Sequence, residues 1–148
     1  MSWIETAKLK LQSSLAPLPR ELDELDWKLE LSPNTKRLAE HVSAFANSRG
    51  GGLLVFGINN EGEAVGVDQG QCAQILDKLG SICAHGVEPP VSFEHEVIEF
   101  KNVYLLIFRL DEGRQKPIRI RGKNIEQSFI RSGGKTRKMN ESELRQSI

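Results

Sequence analysis

Cysteine is scarce in this 148-residue chain: only Cys72 and Cys83 are present, so no disulfide framework can substitute for a hydrophobic core. With His85 they are spaced C-x10-C-x-H, unlike the compact pairs of structural zinc sites, and Cys72 reads as a small buried hydrophobe. No apolar run nears the roughly 18 residues that a membrane span needs, and no basic-then-apolar leader opens the chain. The expectation is a reduced, soluble, cytoplasmic protein. Net charge is also lacking, because 20 Lys and Arg balance 20 Asp and Glu. No global field therefore draws the chain to nucleic acid or to an anionic membrane. Aromatics are few, so base stacking would rest on Trp3 or Trp27, and packing against a sheet is the simpler role for Trp27. No Ser/His/Asp or Cys/His constellation suggests covalent catalysis, and the isolated His41 and His95 read as structural.

What remains is enough apolar sequence for one core. Ile4, Ala7, Leu11 and Leu15 recur at helical spacing, and Pro17 and Pro19 end that helix. Leu25, Trp27, Leu29 and Leu31 alternate as in a half-buried strand. Ser32 or Asn34 can cap the next helix, whose stripe of Leu38, Val42 and Phe45 ends near Ser48. Asn47 is expected to cap that helix end or to line a site, and the cap is the simpler role.

"NSRGGGLLVFGINNEG", from Asn47 to Gly62, invites a phosphate-cradle reading. In nucleotide-binding loops the glycines follow a strand and open a helix, so the positive helix end meets the phosphate. Here a helix precedes them and a strand follows, so a phosphate at Gly50–Gly52 would meet the negative end of the helix dipole. The spacing predicts a left-handed helix cap and a turn into a strand over Leu53–Ile58.

Beyond it, "NNEGE" predicts a hairpin turn with "AVGV" returning as a strand. Cys72, Ile75, Leu76, Leu79 and Ile82 mark a helix that Asp68 can cap. Val91, Phe93, His95 and Val97 alternate on one face of a strand, and "VYLLIFRL" predicts a central strand buried on both faces. "IRIR" is expected to pair with "QSFIRS", and Asn140 with Glu143 opens a short closing helix. The predicted architecture is an α+β single domain over residues 1–148, with a mostly antiparallel sheet packed with helices. Residues 1–19 form an N-terminal helix and proline loop, and 20–148 the core.

Charge is segregated. From Arg109 to Lys138 there are ten bases against three acids, Asp111, Glu112 and Glu126, while the first thirty residues lean acidic. A solvated sheet face is the plain explanation. Arg119 and Arg121 on one strand face, and "RSGGKTRK" with four bases around two glycines, point instead to a surface for a polyanion. The candidate contacts are Lys116, Arg119, Arg121, Lys123, Arg131, Lys135, Arg137 and Lys138, directed at the sugar-phosphate backbone rather than at bases.

Three stretches, "ELDELDWK", "AFANSRGGGLLVFGINNEGEAVGV" and "FIRSGGKTRKMNESEL", together resemble the Schlafen-type AlbA domain. The resemblance implies an AlbA-like α+β fold and binding of DNA or RNA, as in bacterial proteins described as predicted transcriptional regulators. It also implies, for some animal members, a metal-dependent endoribonuclease with three carboxylates. Two of those lie five residues apart before an aromatic-Lys pair, a pattern met here by Glu21 and Asp26 ahead of Trp27-Lys28. Lys28 would then contact the scissile phosphate, and Mg²⁺ or Mn²⁺ would be the cofactor. The third position falls at Asn59 or Asn60, neutral amides where a hard cation wants negative oxygens, with Glu61 and Glu63 the nearest substitutes. This departure leans against catalysis. Relatives often continue into an ATPase-like domain and a winged helix; the residues up to Ile148 hold neither, so no ATP binding is expected. Nuclease members pair two such lobes, so a homodimer is expected if one lobe is to copy that groove. Three functions compete: a nucleic-acid-binding module, a degenerate Mg²⁺/Mn²⁺ ribonuclease on Glu21, Asp26 and Lys28, and a protein-interaction or oligomerisation module.

Overall fold

The computed structural model describes residues 2–20 and 22–148. In chain order the elements are α1 (Trp3–Leu15), β1 (Leu25–Lys28), α2 (Thr35–Asn47), β2 (Gly52–Phe56), α3 (Gln69–Ser81), β3 (Val87–Glu88), β4 (Phe93–Phe100), β5 (Val103–Leu110), β6 (Arg119–Ile120), β7 (Phe129–Ser132), β8 (Lys135–Lys138) and α4 (Glu141–Ser147). The main sheet has the order β1-β2-β5-β4. β1 runs parallel to β2, and the other two pairings are antiparallel. Two short ladders, β3 with β6 and β7 with β8, stand apart from it. This is the expected α+β fold.

The unbroken apolar run of β5 follows from its place inside the sheet, with a strand on each side and helices over both faces. Leu54, Phe56, Leu106 and Phe108 face one core with Val42 and Phe45 of α2 and Ile75 and Leu79 of α3. Leu53, Val55, Leu105 and Ile107 face the other with Ala7, Leu11 and Leu15 of α1. Each fully buried Leu, Ile or Phe here contributes roughly 1.5–3 kcal/mol of transfer free energy.

Local chemistry sets the ends. Asn140 makes a reciprocal capping box with Glu143, as their spacing predicts, and Asp68, the expected cap of α3, makes one with Gln71. Asn34 takes the cap position of α2, and Ser32 Oγ accepts from its backbone N–H. Gly50 and Gly51 have φ of +81° and +69°, and Gly51 N–H returns to Ser48 O. A methyl at Gly51 would strike the Leu110 carbonyl, and one at Gly52 the Phe45 ring. The glycines serve packing and a turn, as the helix-then-strand order requires.

Four expectations are revised. β1 stops at Lys28, and Leu25, Asp26 and Trp27 are all buried, so the strand is covered on both faces. "AVGV" forms no strand: one bridge, Ile58 to Ala64, and hydrogen bonds to the Gly57 carbonyl hold it. In β4 the buried residues are Ile98 and Phe100, while Val97 is 47 % exposed. The strand outruns the α3 side of the sheet and is covered at its far end by the α1 side. Lastly, β6 pairs with β3, and "FIRS" pairs with "KTRK" as a hairpin; a single bridge, Arg119 to Ser128, links the two.

Candidate functional site

Alternation in β1 sends Leu25 and Trp27 to the α1 core and so turns Asp26 and Lys28 toward α2. Asp26 is 1 % exposed. Its Oδ2 lies 3.5 Å from Lys28 Nζ, 3.7 Å from His41 Nε2 on α2 and 3.7 Å from Arg131 Nη1 on β7. Three elements distant in sequence thus place two cations and an imidazole around one buried carboxylate, the compensation that a buried charge requires.

Arg131 is the hub. Its guanidinium donates to the backbone carbonyls of Leu22, Asp23 and Gly134 and to Thr136 Oγ1, and it lies 4.9 Å from the centre of the Phe45 ring. Asp23 in turn accepts from Gly134 N–H, so the β7–β8 turn is fastened to the segment entering β1. Thr136 Oγ1 accepts from Arg131 and stands 2.7 Å from His41 Nδ1. The hydroxyl proton is then best placed on Nδ1 as acceptor, which leaves the ring proton on Nε2, facing the Asp26 carboxylate. The opposite tautomer would aim a lone pair at an anion. Burial drives the His41 pKa down to about 3; Asp26 opposes this, while Lys28, Arg37 and Arg131 reinforce it. The imidazole is neutral at pH 7.

Beside this cluster a cleft of about 230 Å³ is lined by Lys28, Arg37, His41 and Asn34 over Leu38 and Phe56. Lys28 reaches it with a side chain 37 % exposed, the one member of the cluster that solvent readily meets.

The described residues hold only part of the predicted carboxylate set. Glu21 lies outside the described residues. Asn59 is committed to its own turn: Oδ1 accepts from the N–H groups of Glu61 and Glu63, and Nδ2 donates to Glu63 Oε1. Asp26 already faces two cations, which repel a third. Among the described residues no three His, Cys, Asp or Glu side chains gather to hold a metal ion. The described residues alone therefore do not complete a Mg²⁺ or Mn²⁺ site.

The predicted basic surface is partly dismantled. Arg131 is a correction: its side chain is 1 % exposed and contributes nothing to the surface. Lys116 is held by Glu112, whose carboxyl stays below its usual range through that bond and the Gly50 N–H. Arg119 faces Glu88 at 3.6 Å and donates through Nε to the Lys123 carbonyl. Arg137 makes two bonds to Glu143, which likewise holds that carboxyl low. Arg121, Lys123, Lys135 and Lys138 are exposed, and among the described residues none has an acidic partner within ion-pair distance. Lys138 stands opposite Phe129 at one end of the hairpin and Lys135 opposite Ser132 at the other.

Asn47 neither caps α2 nor lines the cluster. Its side chain donates to Ile118 O and Phe129 O and accepts from Ile118 N–H, clamping the C-terminal third onto the helix. Sequence reading missed this clamp, the Thr136 hydroxyl and the place of His41. The one available signal was the small apolar residues that surround α2 beyond its Leu38–Val42–Phe45 stripe, since His41, Ser43 and Asn47 are buried among them.

No helix among the described residues is long and apolar enough to cross a membrane. A family model described as Schlafen, AlbA_2 matches residues 21–140. No curated protein matches the chain. Among solved structures, the DIP2311 protein of Corynebacterium diphtheriae superposes with a TM-score of 0.66 at 16 % identity. That match covers 97 % of this chain but only 27 % of DIP2311, so this chain spans about a quarter of it. The N-terminal domain of a Nitrosomonas europaea protein described as related to the ATP-dependent DNA helicase RecG superposes at 0.58 with 22 % identity, covering 88 % of this chain and 87 % of that one. At these identities the likeness is one of fold.

Proposed function

This chain belongs to the Schlafen AlbA_2 family, and from that premise we propose that it is a nucleic-acid-binding module gripping DNA or RNA by the sugar-phosphate backbone. The observation that carries the reading is the set of exposed bases with no acidic partner among the described residues: Arg121, Lys123, Lys135 and Lys138. Arg119 and Arg137 stand among them, still about a third or more exposed. The helicase-related name of one structural neighbour agrees with a partner of this kind. A regulatory role, such as in transcription, would act through the same contacts.

The test is binding of labelled single-stranded DNA, duplex DNA and structured RNA by anisotropy, across roughly 50 to 200 mM salt. Four phosphate contacts imply an affinity loss of about a hundredfold over that range. Changing Arg121, Lys123, Lys135 and Lys138 together to Ala should abolish binding in a protein that remains folded. Absent binding, or binding indifferent to salt, overturns the reading and favours a protein-interaction module. A second reading, the Mg²⁺- or Mn²⁺-dependent ribonuclease, draws on the exposure of Lys28 beside Asp26. The same RNA with Mn²⁺ or with chelator decides it: cleavage lost with chelator and in Lys28→Ala, whose side chain is partly exposed, supports an enzyme.

A further inference from the structure

β4 is an eight-residue strand at the edge of the main sheet, and among the described residues it pairs with β5 alone. Lys101 and Asn102, with φ of 50° and 67°, form the two-residue turn that closes Phe100 onto Val103. Such a turn closes on a hydrogen-bonded pair, and these pairs alternate along an antiparallel ladder. Phe100, Ile98, Glu96 and Glu94 therefore direct their backbone groups to β5. Glu99, Val97, His95 and Phe93 direct theirs out of the sheet. The Tyr104 carbonyl fits this phase, since it turns away from Glu99 to accept from Val67 N–H.

An edge of this length is a template for another strand, and charges are the usual defence. Glu94, Glu96 and Glu99 are all exposed here. They oppose some pairings and permit one. Two copies related by a two-fold axis perpendicular to the sheet stay antiparallel and keep their faces aligned, so the residue on the axis fixes the register. An axis at Glu96 or at Glu99 sets that carboxylate against its own copy. An axis at His95 sets Glu94 against Glu96. An axis at Ile98 sets His95 against Lys101 and Val97 against Glu99. An axis at Val97 stacks that 47 % exposed side chain on its copy and sets His95 opposite Glu99 on both sides. That register also aligns the outward N–H and C=O groups of Val97, His95 and Glu99. We propose that a second copy of this chain docks on β4, antiparallel and centred on Val97, joining the two sheets into one.

The test is sedimentation of the whole chain without nucleic acid, so it is independent of the binding assay above. The native protein should dimerise with rising concentration. Val97→Pro removes only an outward N–H, spares the ladder to β5 and should give a monomer with an unchanged circular dichroism spectrum. His95→Glu alone and Glu99→Lys alone should each weaken the dimer at least tenfold, and the two together should restore it. A native protein monomeric throughout the micromolar range, or a dimer indifferent to these changes, overturns the proposal.

Discussion

Arg131 and Asp26 face each other at 3.7 Å with both side chains only 1 % exposed, although one sits on the C-terminal hairpin and the other on the first strand. This pairing turns a cation of the basic segment into an internal tie. It also explains how Asp26 is tolerated in a buried position against His41 of α2.

Replacing Arg131 by Met should therefore cost about 3–5 kcal/mol, because it leaves a buried carboxylate and several backbone carbonyls short of a donor. Urea unfolding followed by fluorescence of Trp27, which is buried on the same strand as Asp26, measures it. A loss below about 1 kcal/mol would mean that water replaces the guanidinium and that the tie is incidental.

His41 supplies a pH dependence with a defined sign. Its folded pKa, about 3, lies below the ordinary 6.5, so between those values the unfolded chain takes up a proton that the native imidazole refuses. Stability must then fall as pH drops below about 6.5, with a slope of up to about 1.4 kcal/mol per pH unit, and the loss stops near pH 3. Unfolding curves between pH 7 and 5, above the main carboxylate range, isolate this effect. His41→Gln should flatten the slope; an unchanged slope would assign it to other groups.

Asn47→Ala should release the C-terminal third before the rest unfolds. It orphans the buried Ile118 N–H and Phe129 carbonyl, while Ser43 Oγ still donates to the Ile118 carbonyl, at about 2–4 kcal/mol together. Hydrogen exchange by mass spectrometry should show faster exchange over 118–138, with β5 still protected. Uniform acceleration across the chain would instead make Asn47 part of the global core.

The parts legible in the sequence share one property: their causes lie within a few residues. Asp68, and Asn140 with Glu143, announce their helices because a cap acts within three positions. Gly50 and Gly51 announce a turn because left-handed backbone is a single-residue preference. The run from Leu105 to Phe108 announces a strand covered on both faces because four consecutive apolar residues on an extended chain point to alternate sides, and all four are buried. The misread parts depend on distant partners. A two-residue strand such as Arg119–Ile120 carries no periodicity, so nothing local told whether β3 or "FIRS" would lie beside it.

The sequence by itself determined the α+β succession, the caps, the glycine turn and the local excess of bases, since each follows from short-range sterics and solvation. Tertiary structure alone decided which of those bases remain at the surface. Arg131 and Lys135 read alike along the chain, yet the alternation of β7 and β8, set against α2, turns one guanidinium onto Asp26 and leaves the other cation in water. A charge is fixed by composition. Its exposure is fixed by what the folded chain packs against it.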